Sequence, residues 1–284
     1  MMSPLGAFLC PPGYAGPTGL RALARESSAV TEAARFLGRT VHDRATGSAS
    51  RDTMAPTERG LAPVLLVPGF MAGDVTLALM ATHLRRHGHR TYRSRMHANV
   101  GCTQDAGVEL ERRVEEIAVR RNRRVALVGH SLGGLLARGL AAKRPDLVAG
   151  IVTLGSPILA PGAAHTVLLW DLAVMVRLRA IGLRCLMGTD CTSGECARLS
   201  WEQSQVRLPD GFCFTSVFSR RDGIVDWRSC LDPQADAVEV ATSHTGMAWD
   251  PGVLDVVAGA LGDIVRRKRQ RLRDGYPAPA AAAG

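Results

Sequence analysis

Val125-Ala126-Leu127-Val128-Gly129-His130-Ser131-Leu132-Gly133 decides how this chain is read. Four consecutive apolar residues, two of them β-branched, fit a strand buried on both faces. From Leu132 the pattern changes to helical spacing and continues to Lys143, just before Pro145. Ser131 therefore stands on a sharp turn between a strand and a helix. Such a turn strains the serine backbone and lifts its hydroxyl out of the sheet, and it needs very small residues two positions before and after, here Gly129 and Gly133. The helix beginning at Leu132 also puts its positive end beside the hydroxyl. An incidental glycine-rich turn could carry the same five residues, but not the strand before them and the helix after them.

The same alternation extends in both directions. Val64–Val67 is a second fully apolar run, ending at Pro68-Gly69, and Ile151–Leu154 is a third. Arg90–Ser94, Phe212–Phe218 and Val238–Ala241 read as further strands. Val75–His87, Val108–Arg121 and Pro251–Arg273 read as helices. Strands alternating with helices imply βαβ units, so the expected class is α/β: a mostly parallel central sheet flanked by helices. Residues 159–209 break the rhythm and read as a small lid-like insertion over the sheet edge. The domain is expected to span residues 61–273, after an N-terminal extension at 1–60 that is partly disordered and before a disordered Pro/Ala tail at 274–284. Within the extension, Leu20–Thr40 could form a weakly amphipathic helix, and Thr46–Gly60 reads as a linker.

A serine becomes a useful nucleophile only beside a base, and the base needs an acid to orient it. Of eight histidines, His244 follows the last strand and precedes the closing helix. His130 lies inside the turn and cannot reach back to Ser131, so it is given a packing role. For the acid, Asp222 stands just past the strand Phe212–Phe218 with Gly223 behind it, and Asp226 competes with it. The transition state also needs donors for a developing oxyanion. The Leu132 amide directly follows the nucleophile, and the Phe70 amide, in the loop Pro68–Gly73, is the second candidate.

These segments resemble the small bacterial lipases and esterases of the α/β-hydrolase superfamily. The likeness runs through Leu65–Phe70, Val128–Gly134, Thr153-Leu154-Gly155-Ser156-Pro157, Asp222–Val225 and Ser243–Met247, and it covers about Pro63 to Leu261. It implies an α/β-hydrolase fold, Ser131, Asp222 and His244 as a catalytic triad, and cleavage of carboxylic esters through an acyl-enzyme. A thioesterase or acyltransferase would use the same residues, and a non-catalytic binding module on this scaffold is a third possibility. Many lipases carry His before the oxyanion glycine, where this chain has Pro68, and residues 1–60 have no counterpart in the family pattern.

Composition narrows the remaining classes. Hydrophobic residues make up 46% and charged residues 21%, as in globular proteins. The net charge is +9, but it is spread along the chain, and the one dense run, Arg266–Arg273, has no interleaved aromatics. A nucleic-acid partner is therefore not expected. The run fits a solvated helix end, which would also allow peripheral contact with anionic lipid. Seven cysteines include no Cys-x-x-Cys pair, so neither a metal nor another cofactor is expected. Cys191 and Cys196 are close enough to bridge a short loop; otherwise the cysteines read as reduced, buried thiols. Met1–Cys10 lacks the pattern of a secretory signal, and no apolar stretch is long enough to span a membrane, so a cytoplasmic location is expected. Ala163–Met187 is rich in Leu, Val and Met, reading either as a lid that meets acyl chains or as a helix packed on the core. The expected partner is a small-molecule or lipid ester substrate.

Overall fold

A computed structural model describes residues 5–46 and 61–273. The linker expected at 46–60 falls almost wholly outside these residues, as does the tail. In chain order the elements are α1 (Gly19–Glu26), α2 (Ser28–Thr46), β1 (Val64–Val67), α3 (Ala78–Arg86), β2 (Thr91–Arg93), α4 (Thr103–Arg121), β3 (Val125–His130), α5 (Leu132–Lys143), β4 (Val148–Leu154), α6 (Thr166–Ala180), α7 (Asp190–Ser193), α8 (Glu195–Gln205), β5 (Phe214–Phe218), β6 (Asp236–Glu239) and α9 (Pro251–Arg273). The six strands form one sheet in the order β2-β1-β3-β4-β5-β6, and every pairing is parallel.

The inner strands β1, β3, β4 and β5 are largely apolar because both of their faces are covered. Val64, Leu66, Ala126, Val128, Val152 and Val217 pack on one face against Met80 and Leu84 of α3 and Leu254, Val257 and Leu261 of α9. Leu65, Val67, Val125, Leu127, Ile151 and Phe214 pack on the other against Leu110, Val114 and Ile117 of α4 and Ala137 and Leu140 of α5. Successive strand residues point to opposite faces, so each apolar run feeds both layers.

Several boundaries differ from the sequence reading. The α4 helix starts at Thr103 rather than Val108, because its first turn is polar and carries Asp105 without apolar periodicity. The strand expected at Val238–Ala241 forms at Asp236–Glu239, an edge strand whose exposed side chains give no hydrophobic phase. The β4 strand begins three residues early, at Val148, and the segment expected as one helix at Leu20–Thr40 is two, broken at Ser27. The stretch Val75–His87 divides into a 3-10 turn at Asp74–Leu77 and α3.

The insertion carries α6, α7 and α8. Leu172 is the one buried residue of α6, and Trp170 is half exposed, so this helix is not an ordinary core helix. In the closing helix, Arg266 pairs with Asp263 and Arg267 with Asp236 at 2.8 Å, as expected of a solvated helix end. No helix among the described residues is long and apolar enough to cross a membrane.

The Arg138 guanidinium lies deep in the fold. Arg138 of α5 is 2% exposed; its Nε donates to Asp232 at 3.0 Å, and its other nitrogens donate to the Val206 carbonyl at 2.8 Å and Gln234 at 3.1 Å. Every branch of the guanidinium is satisfied, which makes its burial tolerable. Asp232→Ala leaves that charge uncompensated and should cost about 3–5 kcal/mol. The check is a urea unfolding midpoint; a midpoint equal to that of the parent chain would show that the pair contributes nothing.

Candidate active site

Ser131 sits between the last residue of β3 and the first of α5, with φ 52° and ψ −122°. Its amide donates to the Leu154 carbonyl at 2.8 Å, which pins the turn to β4. The small-residue requirement is steric. A Cβ at Gly129 would stand 2.5 Å from the Gly133 carbonyl oxygen, and one at Gly133 would stand 2.3 Å from that of Val67. Neither position can take a side chain without opening the contact between α5 and the ends of β1 and β3.

The loop after β1 is held by Asn99, whose side chain donates to the Pro68 carbonyl at 3.0 Å and whose own carbonyl accepts from Met71 at 3.1 Å. Met71 takes a left-handed φ of 59°, which sharpens the bend. Neither the Phe70 nor the Leu132 amide is engaged in a hydrogen bond among the described residues. Phe70, Ser131 and Leu132 line one cavity, together with Leu135 of α5, Leu168 and Leu172 of α6, and Leu9 from the N-terminal segment. The insertion is thus a wall of this cavity.

Asp222 lies past the end of β5. Its Oδ1 accepts from the Ile224 and Val225 amides, both at 2.8 Å, and its Oδ2 accepts from His244 Nδ1 at 2.6 Å. Asp226, the competitor, is occupied elsewhere: it accepts from the Ala15 amide at 3.2 Å and pairs with Arg228 at 2.7 Å. The His244 ring approaches Gly155, where a Cβ would come within 3.0 Å of Nδ1, and its centroid lies 4.9 Å from that of His130. Since Nδ1 is taken by Asp222, Nε2 is the nitrogen left for Ser131. The structure joins Asp222 to His244 directly; Ser131 and His244 stand at the same end of the sheet and share no hydrogen bond.

His130 does more than pack. Its Nε2 donates to the His244 backbone carbonyl at 2.9 Å, linking the serine turn to the histidine loop. Burial, reinforced by the nearby His244 charge, pushes its pKa down to about 4, so it stays neutral and keeps that bond.

Two residues that the sequence reading left without a role hold both loops. Glu26 of α1 accepts from the Gly223 amide at 2.9 Å and from the His244 and Thr245 amides at 3.0 Å each. Glu32 of α2, almost fully buried, accepts from the Ser243 amide at 3.0 Å and the Ser243 hydroxyl at 2.6 Å. Burial alone would raise the Glu32 pKa, but the Ser243 bonds outweigh it and leave the carboxyl below its ordinary value. The available signal was that Glu26 and Glu32 are the first two acids of an otherwise basic N-terminal segment.

With this geometry in hand, the chain can be compared with known proteins. The family model described as the alpha/beta hydrolase fold matches residues 121–178, the segment from the end of α4 through the serine turn into α6. Together with the all-parallel sheet, this shows an α/β-hydrolase fold. It is 33% identical over 99 residues to a triacylglycerol lipase of Vibrio cholerae serotype O1, a match covering 33% of this chain and 31% of that protein. It is 29% identical over 151 residues to a GPI inositol-deacylase of Xenopus laevis, covering 50% of this chain and 15% of that one. The matched stretch thus spans less than a third of either relative. Among solved structures, the mature form of Bacillus licheniformis lipase BlEst2 superposes with a TM-score of 0.55 at 16% identity, covering 72% of this chain and 93% of that one.

The electrostatics of His244 follow from its neighbours. Burial pushes its pKa down, but the Asp222 charge and hydrogen bond outweigh this, with Glu26 adding to them, so the imidazole ends above its ordinary 6.5. Protonation is therefore favoured in the fold. The associated stabilisation is complete below the unfolded pKa and is lost as pH rises through the folded value. Titration of the His244 ring by NMR should give a midpoint above 6.5, and Asp222→Asn should move it below. An unchanged midpoint in Asp222→Asn would refute this account.

Proposed function

We propose that this chain hydrolyses carboxylic esters through an acyl-enzyme on Ser131. The observation that carries the reading is the buried Asp222–His244 pair, set at the same end of the sheet as a serine in left-handed backbone at the head of α5. His244 Nε2 takes the Ser131 proton as the hydroxyl oxygen attacks the ester carbonyl. The unpaired Phe70 and Leu132 amides receive the oxyanion, each worth about 3 kcal/mol of transition-state stabilisation. The tetrahedral adduct collapses, and the alcohol leaves with the proton from His244. A water, deprotonated by the same imidazole, then frees the acid and restores the hydroxyl.

The substrate we favour is a small-molecule or lipid ester with an apolar acyl group. Leu135, Leu168 and Leu172 line the cavity next to Ser131, and the names of the two relatives, triacylglycerol lipase and inositol-deacylase, both concern acyl removal. Residues 159–209 act as a lid in this reading. The thioesterase or acyltransferase reading uses the same residues and differs only in the bond cut or in the acceptor.

A fluorophosphonate probe should label the parent chain and leave Ser131→Ala unlabelled, and that variant should lose activity by about 10⁶-fold. Labelling that persists in Ser131→Ala would remove Ser131 from the mechanism; no labelling of the parent chain would favour the binding-module reading. On matched acyl panels, oxygen esters should turn over. Rapid thioester turnover beside inert esters would replace the esterase reading with the thioesterase one.

A further inference from the structure

Three cysteines from distant parts of the chain converge beside the cavity. Cys102 caps the N-terminus of α4, Cys191 lies in α7, and Cys196 is the second residue of α8. Cys102 Sγ is 3.3 Å from Cys196 Sγ, and Cys191 Sγ is 3.7 Å from Cys196 Sγ. All three sulfurs lie within 4.8 Å of one another. A disulfide needs about 2.05 Å, and none of these thiols is bonded to another. Tetrahedral ligands about 2.3 Å from a zinc ion stand about 3.8 Å apart, close to the spacing found here.

We propose that Cys102, Cys191 and Cys196 form a three-thiolate site for one thiophilic d10 cation, Zn²⁺ or Cu⁺. Soft sulfur ligands select these ions over Mg²⁺ or Ca²⁺. The surroundings suit metal-bound sulfur. The Thr103 hydroxyl lies 3.9 Å from Cys196 Sγ, and the Cys196 amide is fixed by Asp190 Oδ1 at 3.4 Å. Burial pushes the Cys191 thiol up to about 12 and also raises that of Cys196, where the Gln104 backbone and Thr103 oppose the rise. Each thiol that binds the cation exchanges its S–H bond for a metal–sulfur bond and gives its proton to solvent. With Zn²⁺ the site carries one net negative charge. A fourth ligand position stays open, to be filled by solvent.

The placement gives the site a purpose. It joins the insertion, through α7 and α8, to the body of the domain at α4. Cys191, Thr103 and Met187 also line the cavity, so the cation would stand in the cavity wall and hold the insertion closed against it. No Cys-x-x-Cys spacing announces the site, because 94 residues separate Cys102 from Cys196.

The test uses the full chain, reduced and kept free of oxygen. Zn²⁺ is titrated against a chromophoric chelator, Cu⁺ against a copper(I) chelator, and Co²⁺ is added as a spectroscopic probe. One equivalent should bind with a Kd of about 10⁻⁷ M or tighter, with proton release and thiolate-to-cobalt charge-transfer absorption. Cys102→Ser, Cys191→Ser and Cys196→Ser should each weaken binding by about 100-fold or more, while Cys185→Ser, outside the trio, should not. Circular dichroism on each variant separates loss of the site from loss of the fold. The proposal is overturned if the reduced chain binds neither Zn²⁺ nor Cu⁺, or if folded variants of the trio bind as the parent does. It is also overturned if the trio forms a disulfide even under reducing conditions, seen as a chain lighter by two hydrogens. These outcomes do not depend on Ser131 chemistry.

Discussion

The first turn of α5 lies so close to the ends of β1 and β3 that no side chain fits at positions 129 or 133. Much of the structure depends on that contact. It draws α5 onto the sheet, forces Ser131 into a left-handed backbone, and leaves the Leu132 amide without an intrahelical partner. A non-glycine residue in such a conformation costs on the order of 1–3 kcal/mol, and it persists because the surrounding packing outweighs it. Here that packing is the two apolar layers, whose strands contribute alternate residues to each. The strain is local, while the stabilisation that sustains it is spread over the whole sheet.

The opposite side of the site is built differently. Asp222 and His244 ride on loops after β5 and β6, the least buried end of the sheet, and β6 pairs on one side only. Two carboxylates fix these loops. Glu26 gathers amides from both, and Glu32 gathers the amide and hydroxyl of Ser243. Hydrogen bonds to ionised groups are stronger than neutral ones, so these anchors add to the apolar contacts of Val225, Met247 and Ala248 in ordering the loops. The N-terminal helices thus pack against the residues of the sheet domain. Phe36 enters the core beside α9, and Trp249 Nε1 donates to the Ala29 carbonyl at 3.1 Å.

How much of this was legible in the sequence follows from the kind of signal each part leaves. Buried parallel strands announce themselves as apolar runs, so β1, β3 and β4 were readable, as was the serine turn between β3 and α5. Asp222 and His244 were readable because they follow strand ends in the expected order. The polar start of α4 and the exposed β6 were not, since neither has an apolar phase. Glu26 and Glu32 stand out as acids in a basic segment, but what they hold was not readable: their partners lie about two hundred residues away, and a carboxylate on a helix carries no mark of which amide it will meet. The cysteine trio is hidden in the same way, by sequence distance.

The long reach of Glu26 shapes how the protein is made. Its partners Gly223 and His244 lie 197 and 218 positions later in the chain. During synthesis these contacts cannot form until β5, β6 and the loops after them have followed α1. Closing contacts of that span is slow compared with forming local helices and turns. The acid and histidine loops therefore gain their last anchors only once nearly the whole domain exists, and a nascent or truncated chain is held short of its finished site.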